Sequence, residues 1–459
     1  MHQTQGMEGP MSATVTAQPS DAHGRPTREL PIGQLVKMSL YWFGLSSIFA
    51  GLTAILSGRL EFTHLVAPGE VGRTLFLLTI GGALIAMLVQ PTVGSISDYT
   101  MSRWGRRKPY ILIGSLLDVV FLAGIAFSNN LLAIAAFVTL LQFSSNFAQG
   151  PFQGYVPDLV PARQVGLASA LVGLLQILGN VGGFAVGAVA IATRQYELGL
   201  LALGGIELAT MLGVFFGVQE GRTPKSREGR SWRSIAAEAW ATDILREHSF
   251  LWLVGSRLAI LMAGGVLVNL ATFYLHRSHG LPEAETGGAY IIMVGLVAIG
   301  TVLAVVPSAR ISDRVGRKKV IYASCALGAV GLGIVAAAPS LPVAYAGVAL
   351  FGISAGIFLA VDWALMTDII PKASSGRYMG LSNVATASSG VLAVAIGGTL
   401  MDLVGGPSQA GSGPRAALVL AVLLFFVGAG LLRPVDERRR EDVPLPAPEP
   451  EFEPEAATT

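Results

Sequence analysis

Apolar residues come in long blocks separated by short polar connections. Blocks close to the roughly 20 residues that cross a bilayer as a helix run over 36–58, 73–97, 109–128, 131–156, 165–192, 198–217, 250–274, 288–309, 320–338, 343–366, 378–403 and 416–433. This pattern predicts an all-α membrane protein of twelve transmembrane helices, here called spans 1–12. Spans 4, 5, 10 and 11 are the weakest, because glycines and polar residues interrupt them. One long polar connection, 218–249, splits the chain into six spans over 30–217 and six over 250–433. Inside it, residues 231–244 read either as a short amphipathic helix with Trp232 and Trp240 at the lipid headgroups or as a plain linker helix. Residues 1–29 and 434–459 are polar, rich in Gly, Pro or Glu, and are expected to be disordered cytoplasmic segments.

Composition strengthens this picture. Hydrophobic residues make up 52% and charged residues 13%, against about 25% charge in a soluble domain. Mean hydropathy is +0.60. The net charge of +2 says little, but its distribution says more. Lys and Arg gather in the connections on one side, which places both termini in the cytoplasm and the chain in the cell's inner or plasma membrane. The single cysteine, Cys325, lies inside an apolar block, so no disulfide framework is expected. The six His show no metal spacing. No nucleophile elbow, His-Glu-x-x-His or phosphate loop occurs, so neither an enzyme nor a cofactor or metal is expected. The expected partners are a small-molecule substrate, a proton or other cation and membrane lipid. Nucleic acid is not among them, and a monomer is expected.

Two charged connections stand out. Gly94-Ser-Ile-Ser-Asp98 leads through Arg103 and Gly105 to Arg106-Arg107-Lys108. Ala309-Arg-Ile-Ser-Asp313-Arg314 leads through Gly316 to Arg317-Lys318-Lys319. The two aspartates are 215 residues apart (313 − 98), and the connections follow spans 2 and 8. A second pair, Asp158-Leu-Val-Pro161 and Asp368-Ile-Ile-Pro371, is separated by 210 residues (368 − 158). A duplicated membrane protein with a charged hairpin at the same place in each half is most simply a transporter. A carboxylate at a helix C-terminus faces the negative end of the helix dipole. Asp98 and Asp313 therefore need compensation by nearby arginines or a neighbouring helix N-terminus, a contact that can break in one conformation and form in another.

The pattern Gly-x-x-x-Asp-(Arg/Lys)-x-Gly-Arg-(Arg/Lys) resembles the signature loop of the major facilitator superfamily. The second copy carries Ala309 in place of Gly. The first has an insertion between Asp98 and Arg103, a longer form similar to that of the sucrose:proton symporters and the glycoside–pentoside–hexuronide:cation symporters. Gln149-Gly-Pro151, the run from Val361 to Asp368 and Gly376-Arg377-Tyr378-Met379-Gly380 point the same way. Phe152-Gln153 stands where sucrose carriers often have an Arg. The resemblance implies two pseudo-symmetric six-helix bundles and alternating access to a central cavity lined by spans 1, 4, 7 and 10.

On span 4, Gln142, Asn146, Gln149 and Gln153 fall on one helical face. Such a stripe suits a substrate rich in hydroxyls, because each amide both donates and accepts. The same stripe also serves as interhelical glue. Trp363 on span 10 is a candidate platform for a sugar ring or an interface anchor. Tyr41 on span 1 and Asn269 on span 7 are further candidate contacts. Ionisable residues inside spans cost roughly 2.5–3.5 kcal/mol each at a helix centre. Four are present: Asp118, Glu207, Arg257 and Asp362. A carboxyl group within a bilayer can take up and release a proton in each cycle. Asp118 is the first choice for proton coupling, followed by Asp362 and Glu207. Asp118 can instead be a fixed partner of a basic group or a hydrogen bond between spans, Asp362 can bind substrate or pair with Arg257, and Arg257 is a candidate substrate contact or a cation that snorkels to the headgroups.

The leading expectation is proton-coupled symport of a sugar or glycoside. The alternatives are proton-driven efflux of a small amphipathic molecule or sugar, and a non-transporting membrane sensor.

Overall fold

A computed structural model describes residues 29–63, 65–67, 69–100, 102–220, 247–369, 375–406, 408 and 411–436. The amphipathic segment at 231–244, nearly all of the two terminal segments, and Pro371 lie outside the described residues. Among the described residues, twelve helices are long and apolar enough to cross a membrane. They are α1 (Ile32–Phe62), α2 (Val71–Ser97), α3 (Lys108–Phe127), α4 (Leu131–Gln153), α5 (Val165–Thr193) and α6 (Tyr196–Gly217) in the first half. In the second half they are α7 (His248–Ser278), α8 (Glu283–Val315), α9 (Arg317–Ala337), α10 (Leu341–Ile369), α11 (Ser375–Gly405) and α12 (Ser412–Leu432). They match the twelve predicted spans one to one. Most ends shift by a few residues, and one shift bears on a hairpin. The second hairpin is helical through Val315 and turns only at Gly316, whose φ of 103° no residue with a Cβ adopts without strain. Asp313 therefore sits in the last turn of α8 and not in a loop.

The two halves repeat each other's packing. In the first half α1 packs on α5 and α6, α2 and α3 on α4, and α3 on α6. In the second half α7 packs on α11 and α12, α8 and α9 on α10, and α9 on α12. Adding six to each member of a first-half pair gives a second-half pair, the pattern expected of two pseudo-symmetric bundles. Pro91 in α2 and Pro307 in α8 occupy matching places near the hairpins. Such prolines persist in membrane helices because neighbouring helices re-satisfy the freed carbonyls.

Two arginines, Arg59 buried and Arg415 half-buried, close equivalent helix ends. Arg59 donates to the Ile125 and Ser128 carbonyls (both 2.8 Å) at the end of α3. Arg415 donates to those of Ala336 and Ala338 (2.9 and 2.7 Å) at the end of α9. A cation there meets the negative end of the dipole and the carbonyls that no intrahelical N–H can reach.

The halves meet along α2 with α11 and along α5 with α8, with a smaller contact of α1 with α7. At the end away from the hairpins these contacts are very close. A Cβ on Gly72 would stand 2.2 Å from the Gly398 carbonyl oxygen, and one on Gly287 would stand 2.4 Å from that of Ala188.

Candidate functional site

In the first half, α1, α3, α4 and α6 converge on a buried acid pair. Asp118 and Glu207 have no accessible surface. Ser144 and Ser145, neighbours on α4, each donate to one oxygen of Asp118, the latter at 2.8 Å. Tyr41 donates to Glu207 Oε1 at 2.9 Å and accepts from Ser115 at 2.6 Å. Glu207 Oε2 is buried and has no hydrogen-bond donor. The two carboxyl groups are near enough for the charge of one to bear on the other. Among the described residues no basic side chain pairs with either. Tyr41, expected to touch substrate, is instead a fully buried member of this cluster, because its phenol is the donor that Glu207 requires. Glu207, the last-ranked of the three proton-coupling candidates, completes the pair with Asp118.

In the second half, Arg257 of α7 and Asp362 of α10 form a buried ion pair, with side chains 3% and 1% exposed. Arg257 also donates to Thr386 Oγ1 of α11 through Nε (3.2 Å) and Nη2 (3.1 Å). Its guanidinium lies 5.3 Å from the centroid of the Trp363 ring, which is 42% exposed. Asp362 Oδ1 is buried without a partner. The sequence expectation that Asp362 pairs with Arg257 matches this geometry.

A cavity of about 430 Å³ begins one helical turn beyond this pair. Ile260 and Leu261 of α7 and Phe358 and Leu359 of α10 are the first lining residues past Arg257 and Asp362. Residues 177–184 of α5 supply a wall from the first half, so the cavity lies between the halves. Of the predicted substrate contacts, Asn269 lines it. The amide stripe on α4 does not. Asn146 is buried and donates to the Gln142 carbonyl at 2.7 Å. The Gln142 stem packs where Gly82 of α2 lacks a side chain. Gln149 and Gln153 are half-buried and make no side-chain hydrogen bond among the described residues.

The first hairpin is an ion network. Arg107 bridges Asp98 (2.7 Å) and Asp158 (2.5 Å) and donates to the Pro151 carbonyl (2.6 Å). Arg106 also pairs with Asp158. Gly94 packs against Gly150, and Gly105 turns at φ 121°. Arg103 stacks on Trp104 at 4.7 Å. Glu220, just beyond α6, accepts from the Arg107 and Lys108 N–H groups (2.9 and 3.0 Å) and from the Tyr155 hydroxyl. This places a carboxylate at the positive end of α3. Burial, reinforced by Glu220, pushes the Tyr155 phenol well above its ordinary value, so it remains a donor. In the second hairpin Arg317 pairs with Asp313 (2.7 Å) and donates to Ser312 (2.7 Å), while Arg314 lies in the last turn of α8. The compensation expected for Asp98 and Asp313 is present in both. The side chain of Asp368, partner of Asp158 in the repeat, lies outside the described residues.

Between pairs of described residues, hydrogen bonds joining the halves lie at the opposite end. Arg277 of α7 donates to both oxygens of Glu61 of α1 (2.8 and 2.6 Å). Tyr196 donates to Glu283 (2.5 Å), which Arg194 also holds (2.6 Å). The Arg73 N–H donates to Asp402 (3.0 Å), and Ser57 reaches the Asn269 carbonyl (3.4 Å). The sequence reading missed Glu61, Arg277 and Glu220, because each sits at the edge of an apolar block, where a charge looks ordinary.

Comparison with known proteins agrees with this architecture. The family model described as Major Facilitator Superfamily matches residues 38–304 and 286–454. The human membrane-associated transporter protein is 29% identical over 202 residues, 40% of this chain and 36% of that protein. A rice sucrose transport protein is 32% identical over 128 residues, 23% of this chain and 24% of its own length. Both matches thus span well under two thirds of the relative. The Arabidopsis thaliana sucrose transport protein SUC4 is 23% identical over 499 residues, covering 94% of this chain and 96% of that protein. Among solved structures, a bacterial homologue of the human lysosomal transporter Spinster superposes with a TM-score of 0.70 at 14% identity, over 87% of this chain and 96% of that one. A D-xylose-proton symporter does so with a TM-score of 0.63 at 16% identity, over 85% and 97%.

Proposed function

This chain belongs to the major facilitator superfamily and is a membrane transporter; on that premise we propose that it moves a sugar or glycoside together with a proton by alternating access. The observation that carries the coupling is the Asp118–Glu207 pair. Two adjacent carboxylates without a cation, deep in a low-dielectric interior, do not both stay ionised. The pair holds one proton, which gives the buried Glu207 Oε2 the partner it otherwise lacks. The serines around Asp118 and the tyrosine beside Glu207 stabilise the remaining charge. A change in the packing of α1, α3, α4 and α6 alters that solvation and releases the proton.

The halves are taken to be 30–217 and 250–433, with both termini cytoplasmic from the distribution of Lys and Arg. The hairpins then face the cytoplasm, and the end where described residues join the halves faces outward. The sucrose transport proteins among its relatives support a sugar as cargo. A second reading, efflux of an amphipathic molecule, is favoured by the apolar walls of the cavity between the halves.

The test is reconstitution in liposomes with a panel of mono- and disaccharides at several pH values. A sugar-evoked current that grows as external pH falls and vanishes with a protonophore is expected. Asp118→Asn is expected to abolish pH-driven uptake while sparing substrate exchange. Unchanged pH-driven uptake in that variant overturns the coupling role.

A further inference from the structure

We infer that Asp402 is a proton-binding site at the end away from the hairpins, separate from the Asp118–Glu207 pair, and that its protonation holds the two halves together there. That this end faces outward rests on the orientation taken above; the site and its effect do not.

The placement follows from α11. Gly398 and Asp402 are four residues apart on that helix and share one face. Gly398 lets the backbone of Gly72 in α2 come so near that a Cβ on Gly72 would stand 2.2 Å from the Gly398 carbonyl oxygen. One turn further on, Asp402 Oδ2 accepts from the Arg73 N–H (3.0 Å) in the first turn of α2. A side chain of the second half thus supplies an acceptor for an N–H that has no partner within its own helix. This contact exists only while the halves meet. The other oxygen, Oδ1, is buried and has no hydrogen-bond partner among the described residues.

The charges around Asp402 do not complete its solvation. From α1 and α7, Glu61 and Arg277 are near enough for their charges to bear on it. Arg277 is already bound at two points to Glu61, and His276 lies 4.0 Å from the same carboxylate. On α2 the Arg73 side chain is exposed, as is Glu70 just before the helix. On α12, Arg415 is turned to the carbonyls at the end of α9. An ionised Asp402 therefore keeps one oxygen desolvated beside a like charge, which disfavours the charged form. A proton on Oδ1 removes that charge and leaves Oδ2 to accept from Arg73. When the halves part, water reaches both oxygens and the carboxylate is again favoured. The joined arrangement binds the proton more tightly than the parted one, so by linkage acid favours the joined arrangement.

The experiment measures the separation of the halves by electron–electron double resonance in the full chain in nanodiscs. Spin labels at Gln195 and Ser340, exposed in connections at this end of the two halves, are placed in a Cys325→Ser background. Between pH 7.5 and pH 5.0 the ratio of long-distance to short-distance populations is expected to fall at least threefold. Asp402→Asn, neutral at every pH, is expected to hold the short distance at both values. Asp402→Ser is a second neutral replacement if the first does not fold, and is expected to be equally unresponsive to pH. His276→Gln and Asp118→Asn are expected to keep the response. A response that persists in the folded Asp402 variants overturns the inference, and so does its loss in His276→Gln or in Asp118→Asn. A long distance at both pH values in Asp402→Asn also overturns it, because the charged form would then be what holds the halves. A response lost in Asp402→Asn and kept in an Asp118→Asn protein whose pH-driven uptake is unchanged supports the inference and overturns the coupling reading.

Discussion

Glu61 near the end of α1 and Arg277 in the turn that ends α7 form a two-point ion pair across the boundary between the halves. Their side chains are 0% and 2% exposed. Removing one partner leaves a buried, unpaired charge, which costs about 3–5 kcal/mol in the closed arrangement. Glu61→Gln is therefore expected to move the population toward opening at this end by at least tenfold. The measurement is the rate at which a cysteine at position 269 reacts with a membrane-impermeant maleimide in a Cys325→Ser background. The Glu61→Gln/Arg277→Gln double variant is expected to recover part of the change. Equal rates in all three would show that the pair does not hold the end shut.

The same closed end depends on two glycines. Gly72 and Gly287 lie where any Cβ would collide with backbone of the other half, and backbone cannot rotate away. Gly72→Leu and Gly287→Leu are each expected to raise the labelling rate at position 269 by an order of magnitude or more. Gly205→Leu is the control, since nothing lies within 4 Å of its Cβ position. A labelling rate that responds equally to all three substitutions would assign the effect to general destabilisation.

Arg257 and Asp362 offer a test of a pair against its parts. Asp362→Asn leaves the guanidinium buried with Thr386 as its remaining hydrogen-bond partner among the described residues. Arg257→Gln leaves the carboxylate alone. Each single change is expected to cost about 3–5 kcal/mol. The double change is expected to cost less than the sum by at least 1 kcal/mol, as directly coupled sites do. Thermal unfolding midpoints of the purified proteins give the cycle, and simple additivity would contradict a direct pair.

The sequence made some of this architecture legible and hid the rest for physical reasons. Span count was readable because a bilayer demands near-continuous apolar blocks, and the twofold repeat was readable because both hairpins keep their charges. Asp118, Glu207, Arg257 and Asp362 were conspicuous as ionisable groups within apolar blocks. Which of them meet was legible only for Arg257 and Asp362. The meeting of Asp118 with Glu207 depends on the packing of α3 against α6, which no local periodicity encodes. Tyr41 read as a cavity contact because its span was expected to line one, but the facing carboxyl turns it inward. The four amides of α4 share a helical face as predicted. That face meets α2 at Gly82, so spacing identified the stripe without identifying its neighbour.

His279 lies just past α7, with its Nε2 2.9 Å from the Tyr274 hydroxyl and its ring edge-on to the Tyr274 ring. Tyr274 donates its own proton to the Val335 carbonyl (2.6 Å), so the imidazole serves as the donor to the phenol. Burial holds the imidazole below its ordinary value, and the Arg415 cation pushes it further the same way. The folded chain therefore favours neutral His279, whereas the unfolded chain protonates it near pH 6.5. As pH falls below about 6.5 the unfolded state binds the extra proton first, and stability declines until the folded-state imidazole also protonates. His279→Gln keeps a donor and removes the titration. The variant is expected to lose less thermal stability than the parent between pH 7.5 and pH 5.5. Taking the difference between the two proteins cancels the carboxylates that titrate in both. If the gap between their unfolding midpoints is the same at the two pH values, His279 is not linked to folding and its contact with Tyr274 is merely steric.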